Sequence, residues 1–358
     1  MVNNLKKLTV LGMMSGTSLD GLDLAICSFS RTNSKWDYDI LKASTIAYSP
    51  DIKKALDNAI RMTAEELLIL DHNYGKWLGQ EARNFLDSNN LKADWIASHG
   101  HTVFHQPLKG FTLQIGNGHD IAASANHPVI YDFRSLDVAL GGQGAPLVPC
   151  GDHFLFGSYD FCLNLGGFSN VSFVEKSRRI AFDICPVNMG LNHLASKAGF
   201  DFDRSGNLGR SGTIIHSLLH QLNNLGFYEE NPPKSLGREW FNLQMLPLLE
   251  QDYEVKDILR TLYEHIAIQI SSILNKYEGK TVLVTGGGAK NAFLSELIGL
   301  NTNREILIPD EILIDFKEAL IFAFLGYLRI NNVHNVFSSV TGCSEDHCAG
   351  AVINRINH

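Results

Sequence analysis

With 358 residues, 45% of them hydrophobic and 19% charged, the chain can bury a sizeable core and is long enough for two domains. Its formal net charge of −8 argues against a protein that mainly holds nucleic acid or a membrane, and it lacks the roughly 20 consecutive apolar residues of a membrane span. The six cysteines are scattered without a CxxC pair, which predicts a reduced, cytoplasmic protein.

The predicted elements of the first half open with a three-stranded meander. Strands are predicted at residues 8–15, 21–29 and 37–48. Helices are predicted at 51–62 and from Thr63 onward, because Thr63 and Glu66 have the spacing of a capping box and apolar residues then recur on one helical face. Two short buried strands, at 95–99 and 129–132, end in polar residues of the kind that line ligand crevices in open α/β sheets.

The second half repeats this order of strands and then helices. Strands are predicted at 161–167, 169–174 and 179–184, followed by a long helix at 258–277, a strand at 282–285 and a strongly apolar helix at 318–330. We therefore expect an α/β protein built from two similar units, although the sequence shows no repeat between them.

Three glycine turns, each after a predicted strand, are candidate nucleotide-binding sites. Glycine lets a phosphate approach the backbone closely, and N–H and hydroxyl groups donate hydrogen bonds to it. The candidate residues are Gly16, Thr17, Ser18, Leu19, Asp20, Gly21 and Asp23 in the first turn, Gly166, Gly167 and Asn170 in the second, and Gly286, Gly287, Gly288 and Asn291 in the third. Asn291 is also a suitable N-cap for a following helix.

A bound nucleotide also needs a cation, and Mg²⁺ commonly neutralises its phosphates through oxygen ligands. Asp20 is the candidate Mg²⁺ ligand, and Asp23 is the other local carboxylate. A plain hairpin with a surface Asp-Gly explains the first turn equally well, and a single GGG run is weak evidence by itself. Because neither a P-loop nor the protein-kinase motifs occur, a nucleotide site must combine several separated turns.

Nine segments, spread in order over nearly the whole chain, carry a resemblance to a known family. They are GMMSGTSLDGLD at 12–23, SHGHTVFH at 98–105, TLQIGNG at 112–118, DFRSLDVALGGQGAPLVP at 132–149, LNLGGFSNVSF at 163–173, FDICPVN at 182–188, PPKSLGREWFN at 232–242, TGGGAKN at 285–291 and EALIFAFL at 318–325. With these motifs, of which GTSLDG and GGQGAPLVP are specific, the chain resembles the anhydro-N-acetylmuramic acid kinase family.

The resemblance implies a fold, a reaction and partners. The fold is α/β, with two RNase H-like (actin/hexokinase-like) domains flanking a central cleft, domain I at 1–147 plus 340–358 and domain II at 148–339. The reaction uses ATP and Mg²⁺ to phosphorylate O6 of 1,6-anhydro-N-acetylmuramic acid while water opens the anhydro bridge, a step of cell-wall recycling. The implied partners are this small-molecule sugar and a second copy of the chain in a homodimer, with no nucleic acid and no membrane.

Asp183 is the candidate base that takes a proton from the attacking water. An aspartate that caps the next turn fits its position equally well, and the resemblance favours the base. The family pattern D-x-G-P-G-N reads DICPVN at 183–188, so Cys185 and Val187 replace two glycines. If either position requires positive φ, this loop must differ from the family's. No lysine or arginine adjoins Cys185, so we interpret it as a filler rather than a nucleophile.

Arg134 is a second candidate catalytic residue, because its fork of donors suits phosphate or substrate oxygens. A structural ion pair with Asp132 or Asp137 is an equal alternative. Other polar residues are predicted to contact the sugar, namely His99, Gln114, Asn188 and Glu318. For Glu318, the alternative is a first-turn glutamate favoured by the helix dipole.

Histidine spacing predicts no zinc site. No cysteine or carboxylate near His99, His101 and His105 completes a zinc set, and His347 beside Cys348 is interpreted as incidental for the same reason.

The run GGQGAP at 141–146 is interpreted as the crossing between domains, where small residues permit a hinge; a plain surface loop is the alternative.

Two other functions compete with the kinase. The fold and the ATP site could serve binding or regulation alone, which the altered loop at 183–188 favours. A glycoside hydrolase would open the bridge without ATP, but the sequence places no pair of carboxylates for it.

Overall fold

A computed structural model of the protein describes residues 5–16, 19–33 and 35–354. The chain divides into two compact units, unit 1 formed by Met1–Leu155 with Phe316–His358 and unit 2 formed by Phe156–Asp315. Within the described ranges, no helix has the length and apolar character needed to cross a membrane.

The regular elements account for most of both units. The strands are β1 Leu5–Ser15, β2 Leu22–Thr32, β3 Lys35–Ile46, β4 Trp95–Gln106, β5 Phe111–Ile115, β6 Val129–Tyr131, β7 Phe161–Leu165, β8 Phe168–Glu175, β9 Arg178–Pro186, β10 Thr281–Thr285, β11 Glu305–Leu307 and β12 Ala351–Ile353. The helices are α1 Pro50–Asn58, α2 Ala64–Ser88, α3 Gly118–Ala125, α4 Ser135–Ala139, α5 Val148–Leu155, α6 Asn188–Lys197, α7 Asn207–Arg210, α8 His216–Asn223, α9 Arg238–Trp240, α10 Leu246–Leu249, α11 Val255–Lys276, α12 Ala292–Asn301, α13 Glu311–Ile330 and α14 Ser338–Thr341. A π-helical segment, Phe241–Met245, joins α9 to α10.

Unit 1 is built on a mixed sheet with the strand order β12-β6-β4-β1-β2-β3, and β5 pairs with β4. β1, β2 and β3 form the predicted antiparallel meander, and β4 pairs with β1 in parallel. The apolar positions of the period-two pattern in β2, Leu22, Leu24 and Ile26, point into one core with side chains of α2 and α3. The opposite face of β2 is buried as well, because Ala25 and Cys27 are 0% exposed, so the alternation assigns side chains to faces without marking one face as exposed.

The long helix α13 belongs to unit 1 from Phe316 onward. It touches β1 so closely that a Cβ on Gly12 would lie 1.9 Å from the carbonyl oxygen of Ala319. A buried ion pair of 2.7 Å between Lys317 and Asp152 joins α13 to α5. The compact unit therefore includes residues 316–339, which the boundaries expected from the sequence, at 148 and 340, assign to the second domain.

Unit 2 repeats the same strand order in its own sheet, β11-β10-β7-β8-β9. β7, β8 and β9 form an antiparallel meander, and β10 and β11 follow in parallel beside β7. From α11, the predicted face residues Leu262, Ile266 and Ile270 enter its core fully buried. The predicted α/β fold of two RNase H-like units is thus confirmed, and the likeness of the units resides in their topology.

Strand β4 extends beyond its predicted end at residue 99. Gly100 has a φ of +73°, and a Cβ there would lie 2.5 Å from the carbonyl oxygen of Ile115. The strand continues to Gln106 because its second half pairs with β5. This long-range pairing places His101 and His105 within a strand.

Side-chain caps mark the starts of α2 and α13. The predicted capping box is confirmed, because the Glu66 amide donates to Thr63 Oγ1 and the Glu66 carboxylate accepts the Thr63 amide. In α13, Asp310 Oδ1 accepts the amide of Leu313 at 2.8 Å. The helix therefore begins at Glu311, seven residues before its predicted start at 318.

Candidate active site

The turn between β1 and β2 carries the first group of predicted nucleotide-binding residues. Thr17 and Ser18 lie outside the described residues. Leu19 has a positive φ of 59°, and its amide donates to the Gly16 carbonyl oxygen at 3.4 Å, which closes the turn. Gly21 packs so tightly against the backbone of β3 that a Cβ there would clash with it.

Two carboxylates flank this turn. Asp20 is exposed to solvent, whereas Asp23 is half-buried. Oδ1 of Asp23 accepts the hydroxyl of Thr45 at 2.6 Å, so a neighbour on β3 fixes its side chain. Asp20 is therefore the more accessible of the two oxygen ligands predicted for a cation.

A hydrogen-bonded group of hydroxyls and one imidazole lies at the end of β1. Ser15 Oγ lies 3.0 Å from Nδ1 of His101 and accepts the hydroxyl of Tyr48 at 2.7 Å. Burial lowers the pKa of His101 to about 4, so its ring is neutral near pH 7. Sequence reasoning missed Ser15 and Tyr48 as part of the site region. His101 lies in the SHGHTVFH segment, which is the signal that would have identified it.

Arg134 is held by two neighbours in unit 1. Its Nε and Nη2 both donate to Nε2 of His99, at 3.1 and 2.9 Å, and its Nη1 donates to the carbonyl oxygen of Gly144 at 2.6 Å. These hydrogen bonds go to a ring nitrogen and a backbone oxygen rather than to the aspartates at 132 and 137. The loop at 141–146 thus helps to orient the guanidinium.

His99 is fixed in one tautomer. Its Nδ1 lies 2.9 Å from the Gly100 carbonyl oxygen, and because a carbonyl only accepts, Nδ1 carries the proton. Burial, helped by the charge of Arg134, lowers the pKa of His99 well below its ordinary value and keeps the ring neutral. Both ring nitrogens are engaged within unit 1, so His99 orients Arg134; its contact with a sugar stays a prediction.

Glu318 lies in the third turn of α13, since the helix begins at Glu311. The alternative of a first-turn glutamate favoured by the helix dipole is therefore wrong. Glu318 is exposed at the surface of the folded chain, yet desolvation by the protein packed around its carboxyl raises the pKa of that group, while the charge of Arg134 opposes the shift. Burial in turn lowers the pKa of Arg134 to about 10, which leaves the guanidinium charged at neutral pH.

Gln114 lies on β5 in a polar cluster. Its Nε2 donates to the hydroxyls of Thr112 and Thr102, at 2.9 and 3.3 Å. It lines a cavity of about 160 Å³ together with Tyr131 and Asp132. The predicted sugar contact of Gln114 would use its remaining oxygen.

In unit 2, the two-residue turn between β7 and β8 holds the start of α6. The Gly167 carbonyl oxygen accepts the amide of Val187 at 2.8 Å, and the Gly166 carbonyl oxygen accepts the amide of Asn188 at 3.1 Å. Asn188 Nδ2 also donates to the Leu165 carbonyl oxygen at 3.1 Å. The structure therefore places predicted site residues 166, 167 and 188 side by side.

The third glycine turn, at 286–288, packs on the end of β7. A Cβ on Gly286 would lie 2.5 Å from Oδ1 of Asn164, and one on Gly288 would lie 2.7 Å from the Cβ of Leu165. Residue 286 also has a φ of +80°, which glycine adopts without strain. The second and third glycine turns thus meet within unit 2.

Asn291 follows the third turn and is the N-cap of α12, as predicted. Its Oδ1 accepts the amide of Leu294 at 3.1 Å, and its Nδ2 donates to the hydroxyl of Tyr263 at 2.6 Å. That hydroxyl donates in turn to Oδ2 of Asp203 at 3.2 Å. The side chain of Asn291 therefore ties the third turn to the segment around residue 203.

A cavity of about 560 Å³ adjoins this segment in unit 2. Sequence reasoning missed it, because its residues come from an irregular stretch without a recognisable motif. Its lining combines apolar and polar side chains, Phe200, Asp201, Phe202, Asp203, Arg204, Asn207, Leu208 and Ser211.

Asp183 lies within β9, opposite Asn170 of β8. Its Oδ2 accepts the amide of Leu236 at 2.8 Å, and its own amide donates to the Lys234 carbonyl oxygen at 3.1 Å. Burial raises the pKa of Asp183 to about 6, although the hydrogen bond from Leu236 lowers it. A carboxylate with this pKa is mostly ionised at pH 7 and is well matched to accept a proton there.

The altered loop at 183–188 needs no positive φ at its two lost glycines, although Val187 has a ψ of −92°, outside the usual helical and extended regions. Cys185 continues strand β9, and Val187 has a φ of −122°. Cys185 is fully buried with its Sγ 3.3 Å from Ser169 Oγ, and burial raises its thiol pKa to about 12. A thiol in this state is not a nucleophile at neutral pH, which agrees with its interpretation as a filler.

Comparisons with known proteins give a consistent result. A family model described as anhydro-N-acetylmuramic acid kinase matches residues 8–355. Proteins of that name from Sulfurovum sp. (strain NBC37-1) and Haemophilus influenzae are 35% and 34% identical, over 96% and 98% of this chain and 98% of each relative. A solved ROK family glucokinase from Streptomyces griseus, in complex with glucose and AMPPNP, is 10% identical over 88% of this chain and 98% of its own, with a TM-score of 0.41. That last likeness is too distant to indicate an activity.

Proposed function

Because the chain belongs to the anhydro-N-acetylmuramic acid kinase family, it is an ATP-dependent sugar kinase, and we propose roles for its residues in the phosphorylation of 1,6-anhydro-N-acetylmuramic acid. The alternative of a fold that only binds or regulates is not favoured, since relatives at 35% and 34% identity over nearly their full length carry the kinase name. The proposed product is N-acetylmuramic acid 6-phosphate, formed during peptidoglycan recycling.

The proposed reaction has a simple balance. Water adds to the anomeric carbon, the bond between C1 and O6 breaks, and O6 forms a bond to the γ-phosphorus of ATP as ADP leaves. The attacking water gives up one proton. The protein must therefore supply a base for the water and stabilise negative charge on the phosphates.

The observation that carries this proposal is the state of Asp183. The amide of Leu236 holds Oδ2, and in the proposed mechanism Oδ1 accepts the proton of the attacking water. Burial raises the pKa of this carboxyl to about 6, so most of it is ionised at neutral pH and can accept a proton. The raised pKa also makes the carboxylate a stronger base than an ordinary aspartate. We assign Asp183 as the base that activates water.

Arg134 supplies the positive charge in this scheme. The guanidinium is charged and oriented by His99 and Gly144, and it stabilises developing charge on the transferred phosphoryl group. Glu318 accepts a hydrogen bond from a sugar hydroxyl, and the amides of Gln114 and Asn188 position further sugar oxygens.

The glycine turns hold the nucleotide in this proposal. Backbone amides of the turns at 16–21 and 166–167 donate to the phosphates, and the turn at 286–288 lies against the ribose. Mg²⁺ fits the donor set of the first turn, because Asp20 offers an accessible hard oxygen ligand and Mg²⁺ keeps several of its waters. The ion, held by Asp20, would neutralise phosphate charge.

The cavity beside Asn291 is the proposed site of the adenine ring. Apolar faces of Phe200 and Phe202 suit a flat base, and polar side chains on the same wall can hydrogen-bond its edge. Its connection to the third glycine turn, through Tyr263 and Asn291, supports this placement. A crystal structure with a bound ATP analogue tests it directly.

The deciding experiment is a coupled assay of ADP release. We expect ADP release that requires 1,6-anhydro-N-acetylmuramic acid, together with a product whose mass equals that of the sugar plus water and one phosphoryl group. Release of ADP without the sugar, or opening of the bridge without ATP, would contradict the proposal. The homodimer implied by the family is checked separately by sedimentation of the same preparation.

A further inference from the structure

Three potential metal ligands that have no role in the proposed reaction meet in unit 1. Asp137 belongs to α4, Cys343 follows α14, and His347 precedes β12. Their exposed fractions are 0%, 7% and 7%. One ligand atom from each, an oxygen, a sulfur and a nitrogen, lies within 4.8 Å of the other two. The cluster joins residues that are distant in the chain, so it arises only from the fold.

Within the part of the chain that the structure describes, one nitrogen of the His347 imidazole has no hydrogen-bond partner. Nδ1 lies 3.2 Å from the Glu345 carbonyl oxygen and therefore carries a proton, because a carbonyl only accepts. Nε2 is buried, has no hydrogen-bond partner among the described residues, and lies 3.8 Å from Oδ1 of Asp137. In the neutral ring, the lone pair of Nε2 thus faces a carboxylate oxygen, which is unfavourable unless a proton or a metal cation lies between them.

We propose that Asp137, Cys343 and His347 bind a zinc ion through Oδ1, Sγ and Nε2. Bond lengths of about 2.0–2.3 Å to these atoms in a tetrahedral site give ligand-to-ligand distances of about 3.5 Å. The 3.8 Å between Nε2 and Oδ1 requires only a small contraction, whereas Sγ of Cys343, which lies 3.7 Å from Nδ1 and donates to the Glu345 carbonyl oxygen at 3.1 Å, must turn toward Nε2. A thiolate and an imidazole favour Zn²⁺ over Mg²⁺, and one water completes the usual four ligands. The donation of Nδ1–H to a backbone carbonyl is the usual second contact of a zinc-bound histidine.

Charge supports the same ion. Zn²⁺ displaces the proton of Cys343, so the bound site contains one carboxylate, one thiolate and a neutral ring. The two positive charges of the ion balance the negative charges of the carboxylate and the thiolate. A cluster buried to this degree tolerates such charges only when they are neutralised.

The ion would join the C-terminal segment to the loop at 141–146. Asp137 already accepts the amide of Gly144 through Oδ2 at 2.6 Å and the hydroxyl of Thr341 through Oδ1 at 2.7 Å. The carbonyl oxygen of Gly144 in turn accepts from Arg134. A zinc ion at Asp137 would therefore stabilise the backbone that orients Arg134, as a structural metal rather than a catalytic one.

The test uses Co²⁺ as a spectroscopic substitute for Zn²⁺ on the full-length protein after dialysis against a chelator. We expect one equivalent of Co²⁺ to produce a thiolate-to-cobalt charge-transfer absorption, and Zn²⁺ to remove that absorption and raise Tm by several degrees. The matched control is Cys348→Ala, a neighbouring half-buried cysteine outside the cluster, which should keep the signal. Cys343→Ala should lose it.

His347→Gln gives a second measure, which matters if Cys343→Ala fails to fold by circular dichroism. This variant keeps the cysteine but loses the nitrogen ligand, so its affinity for Co²⁺ should fall at least about tenfold. A folded wild-type protein that binds no stoichiometric Co²⁺ overturns the proposal, as does a signal that survives Cys343→Ala or an affinity unchanged by His347→Gln. None of these measurements depends on the kinase reaction.

Discussion

Arg134 donates to one nitrogen of His99 twice, from Nε at 3.1 Å and from Nη2 at 2.9 Å. Because the third contact goes to the Gly144 carbonyl oxygen, the guanidinium is held on two sides by neutral acceptors. Its positive charge is thereby oriented without being cancelled by a hydrogen-bonded carboxylate, a state suited to a group that must attract phosphate oxygens.

Arg134→Lys tests this arrangement. A lysine ammonium cannot reach both acceptors in the geometry of the guanidinium fork, so kcat/KM should fall by about 10²-fold or more, and the free energy of unfolding should fall by about 1–2 kcal/mol. Steady-state kinetics and urea denaturation measure the two effects. Arg329→Lys is the matched control, since Arg329 also donates to a backbone carbonyl oxygen, that of Gly350, at 2.7 Å. An equal loss of kcat/KM in the control would assign the effect to folding.

Asp183→Asn should abolish turnover while the affinity for ATP stays within about twofold, because an amide cannot accept the proton of water. In the wild type, kcat/KM should fall as pH drops through about 6, where the carboxylate becomes protonated. Initial rates from pH 5 to 8, with ATP affinity from calorimetry, measure both effects. A flat pH profile with a near-wild-type rate in the variant would remove Asp183 from the role of base.

Asp183→Asn should also stabilise the protein at neutral pH. Burial raises the folded-state pKa of Asp183 to about 6, above the ordinary 3.8, so the folded protein binds more protons than the unfolded chain between these values. Wild-type stability therefore decreases as pH rises through this window, by at most about 3 kcal/mol, and Asp183→Asn removes that decrease. Urea denaturation at pH 4, 5 and 7 should show a difference that grows with pH.

Asp160→Asn is a control of opposite sign for this experiment. The amides of Lys280 and Thr281 lower the pKa of Asp160, so its stabilising contribution is present at neutral pH and is lost as pH falls through the lowered pKa. That variant should be less stable than the wild type at pH 7, with a difference that shrinks in acid. Equal pH dependence for both variants would contradict the assigned shifts.

Sequence patterns predicted those elements that depend on side chains only a few residues apart. The alternation in β2, the capping box of α2 and the face of α11 all follow from side chains a few residues apart, and the structure contains each of them. The start of α13 differs from the prediction, because the prediction used only the apolar run at 318–330 and did not consider Asp310 as a capping side chain.

Contacts between distant residues were beyond such patterns. His99 and Arg134 are 35 positions apart, and Thr341 lies 204 positions from Asp137. Their meeting depends on the pairing of β4 with β6 and on the return of the C-terminal segment, which no window of sequence contains. For the same reason the sequence suggested Cys348 as the neighbour of His347, whereas the fold brings Cys343 to it.

The variants Gly286→Ala and Gly287→Ala distinguish the structural role of the third glycine turn from its proposed role in binding ATP. At 286, the positive φ and the 2.5 Å approach to Asn164 should cost about 1–3 kcal/mol of unfolding free energy. At 287 the nearest atom to an added Cβ is 3.6 Å away, so stability should change by less than about 0.5 kcal/mol. If ATP lies against this turn, the added methyl group at 287 will nevertheless raise the KM for ATP. Thermal unfolding and ATP titration measure the two effects, and an unchanged KM in Gly287→Ala would exclude the nucleotide from this turn.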